Sequence, residues 1–396
     1  MNRTIQLPTF AALLLVGVAA TAQQPLDTSV LARLAEYIRA HYQSPEDYVL
    51  SKFEDHDIVF LGEWHRVKHD PELVQRLIAR LPEAGVYFLG IEFARRIDQP
   101  LVDSLIRAPD YDERLAALIL FKHDVFWGYQ EYADIFKAAW RFNRSRPQGA
   151  REFRILGLNN APDWSYVRAE KDRDRPGVMS KVWHGETERD WADVLMREVL
   201  ANGDKALVYC GMHHSFTEYR QPRVSRGKFR GFGDMRAGNY VFKKVGKRAI
   251  TICLHGPWFS AEGYDKPQVL AADGYIDAVL ALLEPQFQRA GFDVAGTPFG
   301  ELPGETGVYK HGYSRFKLKM IYDGYICQGP LSSYKGVTPI PGFVNETNLH
   351  EARAQSPSPQ FRNATAEDFM KAIVEAAEIP RQLCHLIGAQ PTPRKD

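Results

Sequence analysis

Cysteine is scarce in this chain, and so is any imbalance of charge. Its four cysteines (Cys210, Cys253, Cys327 and Cys384) lie far apart, and none has zinc-finger spacing. Cys210 and Cys253 fall inside apolar, strand-like runs, which reads as buried thiols rather than bridges. No C-x-x-C-H occurs, so covalently attached haem is excluded. The chain carries 50 basic and 49 acidic residues, and Arg3 is the one charge among its first 22. That balance gives no reason to expect nucleic acid as a partner. Internal repeats and low-complexity tracts are missing too. The apolar run Phe10 to Ala20 is too short to span a bilayer comfortably. It follows Asn2 and Arg3 and leads into Ala20-Thr21-Ala22, an A-x-A site, so residues 1–22 read as a signal peptide cleaved after Ala22. No cysteine follows the run until Cys210, which argues against a lipid anchor. The expectation is an exported protein, periplasmic or secreted, with no transmembrane segment once the signal is removed.

The chain is organised around Asp57 to Leu81. Ile58 to Leu61 form an unbroken apolar run, typical of a strand buried on both faces. Asp70 then reads as a helix N-cap, with Pro71 at the first helical position, and Leu73, Leu77, Ile78 and Leu81 recur at helical spacing. Glu63, His65 and His69 sit between strand and helix, where open parallel sheets place their ligands.

Further buried strands are expected at 86–94, ending near Glu92, at 153–161, ending at Asn159 and Asn160, at 206–216, ending at His213 and His214, and at 249–256, ending at His255. Helical patterns separate them: a leading helix within 23–56, a helical stretch over 98–146 interrupted at Pro109 and Asp110, and a charged one over about 166–200. Later come a helix over 265–290, a strand within 316–331, a final helix at about 366–378 and a polar tail from 381. Alternating strands and helices imply an α/β fold, a mostly parallel central sheet with helices on both faces and a site at the carboxyl ends of its strands. The organisation expected is one large domain over 23–380, with a helical insertion at about 98–146 and a C-terminal elaboration from about 257.

On that topology Glu63, His65, Glu92, Asn159, Asn160, His213, His214 and His255 reach one rim. Several strands each delivering a polar residue to the same edge is hard to explain by packing alone. A buried carboxylate such as Glu92 needs a partner. Thr217 to Arg248 hold ten basic and two acidic residues, which reads as a solvated loop and hairpin or as a basic rim attracting an anionic substrate.

GEWH with a histidine four residues on, the strand ending IEFA, ILGLNN and LVYCGMHH together resemble the ChaN/Tiki/erythromycin-esterase superfamily over residues 57 to 216. The resemblance implicates Glu63, His65, Glu92 and His213 or His214. Erythromycin-esterase-like enzymes have one more residue between the glutamate and histidine of the first turn, so a macrolide esterase is not the closest match. Two functions follow. One is a hydrolase acting on an ester or amide of a small-molecule or peptide substrate. Its catalytic residues would be Glu63, His65, Glu92 and His213, alone or with zinc, manganese or cobalt on Glu63, His65 and His213. The other is non-covalent haem or metal uptake without catalysis, with His69, Trp127, Tyr129, Asn160 and His214 as further cofactor-binding candidates.

Overall fold

The computed structural model describes residues 26–185 and 187–387. The expected signal peptide lies outside them. Nine strands run in chain order: β1 (Ile58–Glu63), β2 (Phe88–Arg95), β3 (Arg154–Asn159), β4 (Ala206–Gly211), β5 (Pro222–Ser225), β6 (Lys228–Phe232), β7 (Ala249–Leu254), β8 (Arg289–Asp293) and β9 (Gly324–Gln328). Seven form one sheet in the order β3-β2-β4-β1-β7-β9-β8, and β5 and β6 make a separate hairpin. Every pairing in the large sheet is parallel except β8 with β9. This is the α/β architecture expected from the sequence. All six residues of β1 are buried.

Alternation along β1 sorts its side chains onto two faces. Ile58 and Phe60 join Leu156, Val208 and Cys210 beneath Trp191, Leu195 and Val241 of the helices Thr187–Glu198 and Ala237–Val245. Val59 and Leu61 join Leu89, Ile91 and Tyr209 beneath the helices His69–Arg80, Gln99–Arg107, Glu113–His123 and Gln130–Ser145. A third apolar core lies at the far edge. There Phe292, Tyr325 and Cys327 pack with the helices Thr28–Ala40 and Tyr275–Leu282.

Several elements differ from expectation. The leading helix is two helices, Thr28–Ala40 and Pro45–Lys52. The helical reading of 265–290 keeps only Tyr275–Leu282, and its end becomes the edge strand β8. Asp70 caps nothing: the helix starts at His69, and Asp70 is buried, accepting from Gln328 Nε2 at 2.8 Å. The helix Ile379–Ile387 carries regular structure into the segment read as a tail, with Leu383 and Leu386 buried. Cys210, Cys253, Cys327 and Cys384 are all free thiols, the first three buried. No helix among the described residues is long and apolar enough to cross a membrane.

Candidate active site

β1 ends on Glu63, on the same face as Leu61, and the carboxylate is 1 % exposed. Burial of that kind is costly unless hydrogen bonds replace water. Three donors do so: the Tyr132 hydroxyl at 2.7 Å to Oε1, His65 Nδ1 at 2.6 Å to the same oxygen, and the Tyr209 hydroxyl to Oε2. With Nδ1 donating to Glu63, the lone pair of His65 sits on Nε2. The imidazole stands edge-on to Trp127, with ring centres 5.0 Å apart, and lies over Gly211. The seat leaves no room for a side chain with the ring in place, because a Cβ on residue 211 would come within 2.7 Å of His65 Cε1 and Nε2.

Glu92 comes from the opposite face. Its parity in β2 is that of Phe88, and the register of β2 on β3 shifts between Ile91 and Arg95, an irregularity that re-aims side chains at a strand end. Glu92 Oε2 accepts the Gly211 N–H at 2.8 Å, and Oε1 lies 3.5 Å from His214 Nε2. His214 Nδ1 is 2.8 Å from Glu188 Oε1, and Glu188 also accepts from Arg236 Nη1 and the Ala237 N–H, each at 2.8 Å. The His214 ring stacks on Trp191. The site therefore straddles the sheet, with the Glu63–His65 pair on one face and a Glu92–His214–Glu188–Arg236 chain on the other, meeting at Gly211.

The chain sets its own charges. Burial works against a charged His214, but the flanking Glu188 and Glu92 push it up to about 10. Burial would also raise Glu92; the His214 charge and hydrogen bond outweigh it and hold that carboxyl well below its usual range. His214 thus keeps a proton in the folded state that it releases on unfolding above its ordinary value of 6.5. Stability from this group is full below that pH and declines as pH rises toward 10, by up to about 1.4 kcal/mol per pH unit. His214→Gln should be less stable throughout yet lose this alkaline decline, as denaturant midpoints taken across the window would show. An unchanged slope would remove the charge from His214.

His213 behaves differently. Its Nε2 meets the Tyr309 hydroxyl at 2.8 Å, Gln221 Nε2 faces its Nδ1 at 3.2 Å, and burial depresses its pKa. A neutral ring with both nitrogens engaged has nothing left for a carbonyl or a metal. Among the described residues no group of three or more His, Cys, Asp or Glu is placed to hold a metal ion. The expected Glu63–His65–His213 set for zinc, manganese or cobalt does not assemble.

Glu63, His65, His213 and His214 line one cleft of about 290 Å³, walled by Trp64 and Phe259 and reached by Ala376 and Gln382 of the C-terminal helices. The other residues that the sequence offers for the rim or for cofactor contacts stand elsewhere. His69 packs edge-on against Tyr334, and burial lowers its pKa to about 3. Trp127 lies behind His65, stacked on Phe93. Tyr129 is fully buried and donates to the Ile373 carbonyl at 3.0 Å. Asn160 Nδ2 is held by Asp190 Oδ2 at 2.7 Å beside a separate cleft. His255 pairs with Tyr325 and Asp277 in the interior.

Sequence reasoning overlooked Tyr209, Tyr132, Glu188, Arg236 and Arg66. Tyr209 had a signal, since alternation two residues before the end of β4 places it under the rim. Glu188 and Arg236 had none, being brought in by helices whose own patterns carry no site signature.

Comparison with known proteins finds a family model that matches part of the chain. The matching model is haem-binding uptake, Tiki superfamily, ChaN, over residues 49–159. That ChaN-like stretch runs through β1, β2 and β3 and holds Glu63, His65 and Glu92, whereas His213 and His214 lie beyond it. No curated protein matches the chain. Among solved structures, a succinoglycan biosynthesis protein aligns at 11 % identity over 79 % of this chain and 100 % of its own, with a TM-score of 0.52. The erythromycin esterase EreC aligns at 10 % identity over 73 % and 94 %, TM-score 0.47. ChaN of Campylobacter jejuni, described with cofacial haem, aligns at 14 % identity over 55 % and 88 %, TM-score 0.34. At 11 % identity the first of these likenesses concerns the fold alone.

Proposed function

We propose that the ChaN-like rim is a hydrolytic site for an ester or amide, in an exported protein. The observation that carries this reading is the 2.6 Å contact of His65 Nδ1 with the buried Glu63 carboxylate, which leaves Nε2 as a base at the cleft. His65 Nε2 takes a proton from water, and the hydroxide adds to the carbonyl carbon. Glu63 steadies the imidazolium that forms, and the same proton then passes to the leaving alcohol or amine. Glu92, kept charged by His214, fixes the Gly211 backbone on which His65 rests. His213, with both ring nitrogens engaged, serves to position the wall of the cleft.

The family description favours a second reading, non-covalent haem. Tyr129 and Trp127 are buried away from the cleft, so haem would meet His65 from the side walled by Trp64 and Phe259. The test is a panel of ester, amide and peptide substrates run with and without chelator, beside an absorbance titration with haem. Turnover unaffected by chelation is expected, since no ligand set for a metal assembles among the described residues. Tight haem uptake with a Soret band that His65→Ala removes, and no turnover of any substrate, would overturn the hydrolytic reading.

A further inference from the structure

Arg66 follows the catalytic histidine candidate directly, lines the same cleft and has no role in the chemistry above. Its backbone is left-handed, with φ of 69°, a conformation that a side chain other than glycine keeps only when its surroundings impose it. They do. The Arg66 N–H donates to the Tyr132 hydroxyl at 3.1 Å, and its carbonyl accepts from the Val337 N–H at 3.1 Å. Nε donates to the Tyr129 hydroxyl at 3.1 Å. The guanidinium lies over the Trp127 ring, 4.4 Å from its centre, while Phe93 stacks nearly parallel to that indole at 5.0 Å and so covers its other face.

One edge of the guanidinium is thus fixed, and the terminal amino groups are left over. Among the described residues no carboxylate stands within ion-pair distance of Arg66. A cation held rigid, half desolvated and unpaired beside a reactive base is a receptor for an anion. The basic run from Thr217 to Arg248 does not fill this role: none of its residues lines the cleft, and Arg236 is consumed by Glu188 and Gln221, Lys247 by Glu218 and Arg248 by Asp57. His65 and Arg66 share Trp127 as a support, so the base and the guanidinium lie within reach of one small molecule.

We infer that Arg66 is the specificity-determining residue of the cleft, binding a carboxylate or phosphate group on the substrate while the bond to be attacked lies against His65. The planar fork suits an oxyanion with two acceptor atoms, which a lysine would meet only as a point charge. The inference needs the cleft to be a substrate site; it does not need the reaction to be hydrolysis.

The probes are glutarate and inorganic phosphate, titrated into the full chain by calorimetry, with the tighter one identifying the group. Wild type should bind at least one. Arg66→Gln should bind about 10-fold more weakly or worse, the loss expected of a charge-assisted pair. Arg66→Lys should fall between the two, and His65→Ala should retain binding. Wild type that binds neither anion, or a folded Arg66→Gln that binds like wild type, overturns the inference. Should the Gln variant fail to fold, a Lys variant equal to wild type shows that charge alone suffices and overturns the role of the fork. Matched esters, one ending in a carboxylate and one in a neutral amide, separate the two proposals. Anion binding through Arg66 with no turnover leaves this inference standing and sinks hydrolysis. Turnover that shows no preference for the charged ester, in wild type and Arg66→Gln alike, does the reverse.

Discussion

His65→Ala is expected to lower turnover by roughly 10²- to 10⁴-fold, the loss typical of a missing general base, while leaving the fold nearly as stable as before. The side chain sits in the turn after β1 and is 35 % exposed. Its removal leaves the Glu63 carboxylate with two tyrosine hydroxyls, so no buried charge is stranded. A change within about 1 kcal/mol is therefore expected, as for other substitutions at the edge of a cleft. Steady-state kinetics on any ester or amide found to turn over, paired with denaturant melts, would check both halves. Wild-type turnover in the alanine variant would remove His65 from the chemistry.

Gly211→Ala should be nearly as damaging without deleting any catalytic group. The added methyl would lie 2.7 Å from His65 Nε2 and Cε1, closer than van der Waals contact allows, and the imidazole must swing away. Displacing a reacting group by about 1 Å can cost roughly 10²-fold in rate. Gly211 does not occupy the left-handed region, so the backbone itself accepts alanine and thermal stability should fall far less than activity. A variant with unchanged kcat would mean that the seating of His65 on the β4 terminus has no bearing on catalysis.

The parallel strands were legible because burial on both faces leaves unbroken apolar runs, as at Ile58 to Leu61 and in β2, β3, β4 and β7. β8 escaped notice because a five-residue edge strand carries no such run, and Arg289–Asp293 continued a helical pattern. Asp70 misled because its neighbours spell a capping sequence, whereas it is buried against Gln328. For the candidate site, strand ends bring Glu63, His65, Glu92, His213 and His214 to one rim by topology alone, and the sequence preferred His213 to His214 as the catalytic one. The same reasoning counted Asn160 and His255, which reach the rim level but turn into other networks. His213 and His214 are adjacent, and nothing in their order shows that one is charged between two glutamates while the other is held neutral by Tyr309 and Gln221. Those partners arrive from segments far along the chain.

The strand order also bears on how the protein is made. β1 is flanked in the sheet by β4 and β7, never by β2, so Ile58 finds its first partner at Ala206. During synthesis at ~5–20 residues per second, that wait lasts on the order of ten seconds. For its duration a strand destined for complete burial has both edges open, and the rim that Glu63 terminates has no neighbours. The last wall arrives later still, since Ala376 and Gln382 close the cleft. A ribosome-bound chain would hold every residue that matches the family model and still have no cleft.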